Sequence, residues 1–386
     1  MNVERILSLL PEGILSELAI ETEVNRYSKK LQGQVLFKLL IHCILSHKEN
    51  SLRSMESAYE SIGFSLLNAG RKKQQVRYSS ISERLSTINP DYFEKIYQAC
   101  IDVYGKTLRS KSREIIRFDS TIITLSSKLL HQGYLLKDGD ASHVRQLKFT
   151  IGLGELPQSV HLYKEQKHSS ENAALAESVL SYNRKAIRIF DRGITSRKTY
   201  DALTDKKIPF ISRINLKSKF QAHGINCLSS PIETETLNIY SDQWIYLFSE
   251  GCRKATHPVR CVKATRKEDG EEIAFVCNVD DLEAKEVTEL YKQRWEIEVF
   301  FKFLKQELNF SHLVSRNENG IKVMLYATLI AATLLLVYKK KNKLTGYKIM
   351  KQLFVQELEQ SLIRSFVEMC GGNPKLVNKL LYLNSS

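Results

Sequence analysis

Proline is scarce in this chain, 7 residues in 386, and neither an internal repeat nor a low-complexity tract stands out. Solenoid and low-complexity classes are therefore set aside, and the composition is that of an ordinary globular protein, 43% hydrophobic and 26% charged. The seven cysteines (43, 100, 227, 252, 261, 277 and 370) include no CxxC pair. They are expected as reduced, mostly buried thiols of a cytosolic protein. Cys252, Cys261 and Cys277 share a region with His257, but their spacings match no usual zinc pattern, so packing among strands is the expected role. The opening MNVERILSLLPEGILSEL has an early Glu, a Pro and no small-residue cleavage site, which argues against a signal peptide. The longest apolar run, Val323 to Tyr338, has 16 residues, short of the ~20 a spanning helix needs. It reads as a core helix, with a single membrane anchor as the alternative, and no membrane partner is expected.

Acidic residues are also in deficit: 43 Asp+Glu against 57 Lys+Arg, a net charge of +14. Basic clusters recur along most of the chain, which favours a polyanionic partner, nucleic acid ahead of a membrane surface. The length suffices for two or three domains.

Four regions follow from the hydrophobic patterning. Residues 1–110 read as helical. A basic run near 71–77 and a short helix bearing Arg84 suit a DNA-binding module, and a helical bundle with a solvated basic face suits them equally. Residues 111–214 and 281–340 read as one α/β domain. Strands are expected at EIIRFDSTIITL, in a hairpin from RQLKFTIGLG to LPQSVHLYKE, at KAIRIFDRG and at IPFISRIN. Helices are expected between the later strands, the first capped by Ser169 or Ser170. Residues 215–280 read as a β-rich insertion, and 341–386 as a C-terminal helical region.

Two acidic residues, Asp119 and Asp191, close apolar strand patterns, where a carboxylate is costly to bury unless it is paired or bound to a metal. A third, Glu298, lies in YKQRWEIEVFFKFLKQEL, which reads as one buried helix. At about 100° per residue, Tyr291, Arg294, Glu298 and Lys305 fall on a stripe roughly 60° wide. Three converging carboxylates would hold two Mg²⁺ ions, while Arg and Lys would attract phosphates. The alternatives that stay open are capping and turn roles for the aspartates and a surface Arg294–Glu298 ion pair.

The spacing Y-x2-R-x3-E-x6-K, with FDST and FDRGI before it, resembles the YREK signature and the two Asp motifs of DDE-class insertion-sequence transposases. The resemblance runs from about 113 to 313. It implies a ribonuclease-H-like α/β fold, with Asp119, Asp191 and Glu298 as catalytic and metal-binding residues for Mg²⁺ or Mn²⁺, two ions in all. It implies cleavage at transposon ends, a hairpin step and strand transfer into target DNA. By the same analogy Tyr291, Arg294, Lys305 and Arg213 contact double-stranded DNA, a strand-end salt bridge being the equal alternative for Arg213, and the chain acts as a homodimer, cytoplasmic and nucleoid-associated. His168 fits a family pattern whose following Asp is here Ser169, so it is given no metal role. Trp244 is a candidate for stacking on a flipped base, or simply core. Alternatives are a DNA-binding copy without catalysis and a nuclease without strand transfer.

Overall fold

The computed structural model describes residues 1–47, 49–68, 75–108, 113–124, 134–135, 145–249, 252–315 and 317–377. The chain divides into two compact units, one formed by Met1–Arg109 with Lys302–Ser386, the other by Ser110–Phe301.

The first unit is helical among its described residues. Its centre is the Glu318–Lys341 helix, which packs against the Asp91–Leu108, Gly33–Ser46 and Tyr78–Thr87 helices. This helix is long and apolar enough to cross a membrane, yet 89% of its most apolar 18-residue window is buried within the protein. The stretch 51–67 forms two helices, Leu52–Glu60 and Ile62–Leu67, because the hydroxyl of Ser61 accepts the Phe64 N–H and starts the second. Arg84 is not displayed for an outside partner. Its Nε donates to the Leu31 carbonyl at 2.9 Å and its Nη2 to the Val24 carbonyl, so it ties together the chain that precedes the Gly33 helix. Most of the neighbouring basic run, 71–74, lies outside the described residues.

Among its described residues the second unit is built on one mixed sheet of eleven strands. They are β1 (Ile115–Thr124), β2 (Tyr134–Leu135), β3 (Arg145–Leu153), β4 (Pro157–Tyr163), β5 (Ile187–Ile189), β6 (Phe210–Ile214), β7 (Phe220–Ala222), β8 (Ile232–Glu233), β9 (Leu237–Leu247), β10 (Val259–Arg266) and β11 (Glu272–Cys277). β3 lies antiparallel between β1 and β4, while β1, β5 and β6 run parallel. β11, β10 and β9 extend the same sheet antiparallel from β6, and β7 forms the far edge.

Alternation along the strands gives each face its own core. Ile116, Phe118, Phe190 and Phe210 meet Leu175, Val179, Tyr200 and Leu203 of the Glu171–Ser181 and Arg197–Asp205 helices. Ile187, Ile189, Ile211 and Phe275 meet Val287 and Tyr291 of the Ala284–Lys292 helix on the other face. Cys261 packs in the first core and Cys277 in the second, so the two thiols line opposite faces of the sheet. Bidentate pairing of Arg260 with Asp242 (2.8 and 2.7 Å), both buried, links β10 to β9 within the extension.

Candidate active site

Asp119 and Asp191 reach the same place through register and pleat. Arg117 on β1 is level with Ile189 on β5, so two residues further along the parallel strands Asp119 comes level with Asp191. Phe118 and Phe190 point into the core beneath the Glu171–Ser181 and Arg197–Asp205 helices. Alternation turns the residue after each phenylalanine away from that core, and the charge of Asp191 reaches Tyr291 of the Ala284–Lys292 helix. Ser120 N–H donates to Asp119 Oδ1 and Gly193 N–H to Asp191 Oδ1, each at 2.8 Å. Asp119 is largely buried, and this pushes its carboxyl up to about 7; the neighbouring Asp191 and Glu171 push the same way, while the Ser120 N–H and Arg294 pull back.

The stripe read as one helix is carried by two. The Ala284–Lys292 helix ends, and a second runs from Trp295 to Glu307. Between them the chain tightens: Arg294 N–H donates to the Tyr291 carbonyl at 2.9 Å and Ile297 N–H to the Arg294 carbonyl at 3.1 Å, both three-residue steps. Tyr291 thus closes one helix, Arg294 stands in the link and Glu298 lies in the first turn of the next. The break also turns Trp295 outward, 63% exposed, against the expectation of a helix buried all round. Arg117, buried on β1, holds the link to the sheet by donating to the carbonyl and the side chain of Gln293 at 3.1 and 2.6 Å.

Arg294 then connects the carboxylates. Its Nη2 donates to Glu298 Oε1, and its Nη1 lies 3.8 Å from Asp119 Oδ2. Burial works against the guanidinium, but Tyr291, Glu298 and Asp119 outweigh it and keep it charged. Its Nε is buried with no hydrogen-bond partner among the described residues. Tyr291 is buried and its hydroxyl is held up by that burial, with Arg294, Arg213 and Asp191 among the charges that reach it. Arg213, in phase with Ile211 on β6, approaches Glu271 at 3.7 Å. Lys305 is exposed on the Trp295–Glu307 helix, two turns beyond Glu298 and in line with it.

Other sequence candidates have structural partners. His168 is buried, its ring tilted against that of Tyr163 with centroids 4.3 Å apart, and its Nε2 lies 2.9 Å from Glu177 Oε2. Trp244 lies mid-strand on β9, opposite Arg260 of β10, and is half-buried. Ser170 occupies the N-cap of the Glu171–Ser181 helix, but its hydroxyl makes no capping bond.

One residue of this site was not anticipated. Glu171 begins the helix after β4, and its charge acts on both Asp119 and Asp191. No motif marks it, since an acid in a first helical turn is common for reasons of the helix dipole alone.

The donor set suits a hard divalent cation, because carboxylate oxygens are what Mg²⁺ and Mn²⁺ take. Among the described residues no three His, Cys, Asp or Glu side chains already close around one ion. The cation present is Arg294, held between Asp119 and Glu298, so the place accepts positive charge.

The family described as Transposase DDE domain matches residues 110–334, and the chain belongs to that family. The family implies a ribonuclease-H-like fold. The chain is 29% identical over 161 residues to "Putative transposase y4zB" of Sinorhizobium fredii, covering 42% of this chain and 44% of the relative. It is 27% identical over 175 residues to "Probable transposase for insertion sequence element IS5377" of Geobacillus stearothermophilus, covering 45% of each. A third relative, "Putative transposase for insertion sequence element IS4SA" of a Synechocystis strain, is 24% identical over 309 residues, 76% of this chain and 78% of the relative. The first two matches span less than half of those relatives.

Proposed function

We propose that the chain is a DNA transposase of the YREK type, acting on the ends of its own element and joining them to target DNA. Asp119, Asp191 and Glu298 form the acidic triad, and two Mg²⁺ or Mn²⁺ ions would supply the Lewis-acid chemistry of phosphoryl transfer there. What carries the reading is the convergence of Asp119 and Asp191, level on parallel strands, with Glu298 through the shared guanidinium of Arg294.

The protein's part is positioning and charge. Parallel strands fix the two aspartates, and the Arg117–Gln293 bonds fix the helix link that presents Glu298. With the carboxylates occupied by cations, Arg294 would be free to hold the phosphate beside the scissile bond, since a planar fork of N–H donors fits two oxygens. Tyr291 donates its hydroxyl to the same backbone, Lys305 contacts phosphates further along, and Arg213 lies beside Tyr291. In the first step water attacks the phosphodiester at the element end and a free 3′-hydroxyl leaves. That hydroxyl then attacks the opposite strand to close a hairpin, a second water reopens it, and the restored 3′-hydroxyl attacks target DNA. Each step makes one P–O bond and breaks one.

The test is incubation of the purified chain with DNA carrying the element's own ends and Mg²⁺ or Mn²⁺. Nicks at the element boundary and joining of those ends to a target plasmid are expected. Binding of the ends without nicking would overturn the catalytic reading; nicking without joining would reduce the activity to that of a nuclease.

A further inference from the structure

We propose that Ser212 and Asn172 are positioning residues for Asp191: from two different elements they clamp the turn that carries its carboxylate beside Asp119. The inference rests on reading Asp191 as a member of the acidic triad and assigns the groups that fix it there.

Strand pairing alone does not fix Asp191. The β5 ladder closes at Ile189, which pairs with Arg117 on one side and Ile211 on the other. Phe190 N–H still donates to the Ile211 carbonyl at 3.3 Å, and Asp191 lies beyond it. A carboxylate past the end of a ladder takes its direction from whatever holds the chain that follows, because each main-chain group there needs a partner of its own.

Those partners are side chains. Ser212 is fully buried on β6, between apolar neighbours, where a hydroxyl is costly unless it is bonded. It donates to the Asp191 carbonyl at 3.1 Å, with the Arg213 carbonyl at 3.3 Å as its other acceptor. Tyr200 of the Arg197–Asp205 helix stacks on Phe210 with ring centroids 5.3 Å apart, and its hydroxyl donates to the Ile194 carbonyl at 2.9 Å. Asn172 of the Glu171–Ser181 helix accepts through Oδ1 the N–H groups of both Thr195 (2.9 Å) and Ser196 (3.2 Å). Within the loop held in this way, Gly193 N–H donates to Asp191 Oδ1 at 2.8 Å. The chain is therefore gripped at Asp191 itself and again at the end of the turn, and the carboxylate is oriented between the two grips.

The plain alternative is that these bonds only satisfy main-chain groups. That role would change stability but leave the nicking rate of the folded chain as it is. The test uses the full chain, DNA carrying the element's ends, and Mn²⁺, at a temperature where every variant is folded. Ser212→Ala is expected to slow nicking about tenfold or more with end binding unchanged. Ser212→Thr keeps the hydroxyl and is expected to restore most of the rate. Asn172→Ala is expected to slow nicking likewise. In the chain without metal or DNA it should also speed amide hydrogen exchange at Thr195 and Ser196 about tenfold or more.

A wild-type nicking rate in Ser212→Ala or in Asn172→Ala, with nicking lost in Asp191→Asn, would overturn the positioning role of that residue and leave Asp191 in the triad. Equal slowing in Ser212→Ala and Ser212→Thr would overturn the part given to the hydroxyl. Exchange at Thr195 and Ser196 as fast in the wild type as in Asn172→Ala would overturn the clamp, whatever the nicking rates. Nicking retained in Asp191→Asn would instead overturn the triad reading itself.

Discussion

The guanidinium of Arg294 lies 3.8 Å from the carboxylate of Asp119, although one belongs to a link between helices and the other to a strand. With its second nitrogen on Glu298, the arginine compensates acids that would otherwise repel each other. Arg294→Ala should therefore lower the stability of the metal-free chain by about 3 kcal/mol, the scale of breaking a partly buried ion pair. Mn²⁺ should restore more stability to this variant than to the wild type, because nothing competes for the carboxylates. Thermal unfolding with and without Mn²⁺ checks both; an equal Mn²⁺ effect in the two proteins would contradict the stand-in role.

Asp119 gives a pH dependence of unusual sign. Burial raises its folded-state carboxyl to about 7. Between the ordinary value of about 4 and that value the folded chain holds a proton that the unfolded chain releases. Its contribution to stability is therefore complete below about pH 4 and declines as pH rises toward 7. Asp119→Asn should remove this decline, making the variant more stable than wild type at pH 8 by an amount on the order of a few kcal/mol, while abolishing cleavage. Urea unfolding at pH 5 and pH 8 measures it; the same pH slope in both proteins would refute the assignment.

Glu298→Gln keeps the side chain's size and removes its charge. Folding and end binding should persist, and nicking should be lost to below detection. Retained nicking in a gel assay would take Glu298 out of the triad.

Lys305 is exposed on the helix that carries Glu298. Lys305→Ala should weaken binding to element ends and reduce the slope of log K against log salt by about 1. An unchanged slope in a titration over salt concentration would argue against a phosphate contact.

Asp242 and Arg260 are buried together within the sheet extension. Asp242→Ala leaves the guanidinium uncompensated and should cost about 3–5 kcal/mol. Chemical denaturation reads this directly, and a loss below about 1 kcal/mol would mean that solvent screens the pair.

Local patterns made much of the molecule legible. β-Branched, apolar stretches marked β1, β5 and β6, and alternation marked the β3–β4 hairpin, because a pleated strand exposes its neighbours to opposite faces. Asp119 and Asp191 stood out as charges at the ends of apolar runs. Pattern misled at Trp295, where apolar periodicity implied one buried helix and a tight link turned the ring outward. The basic setting of Arg84 hid a structural use, since its acceptors are main-chain carbonyls with no signature in residue identity.

By itself the sequence determined which residues carry charge into apolar surroundings and on which turn of a helix or side of a strand each one sits, since these follow from local backbone geometry. Only the tertiary structure decided which of those charges meet. The parallel register of β1 and β5 brings Asp119 level with Asp191, the Gln293–Arg294 link places a guanidinium against Glu298, and the bare backbone at Gly193 lets Glu171 in beside them. Such encounters depend on strand pairing and close approach between distant segments, and no short stretch of residues records them.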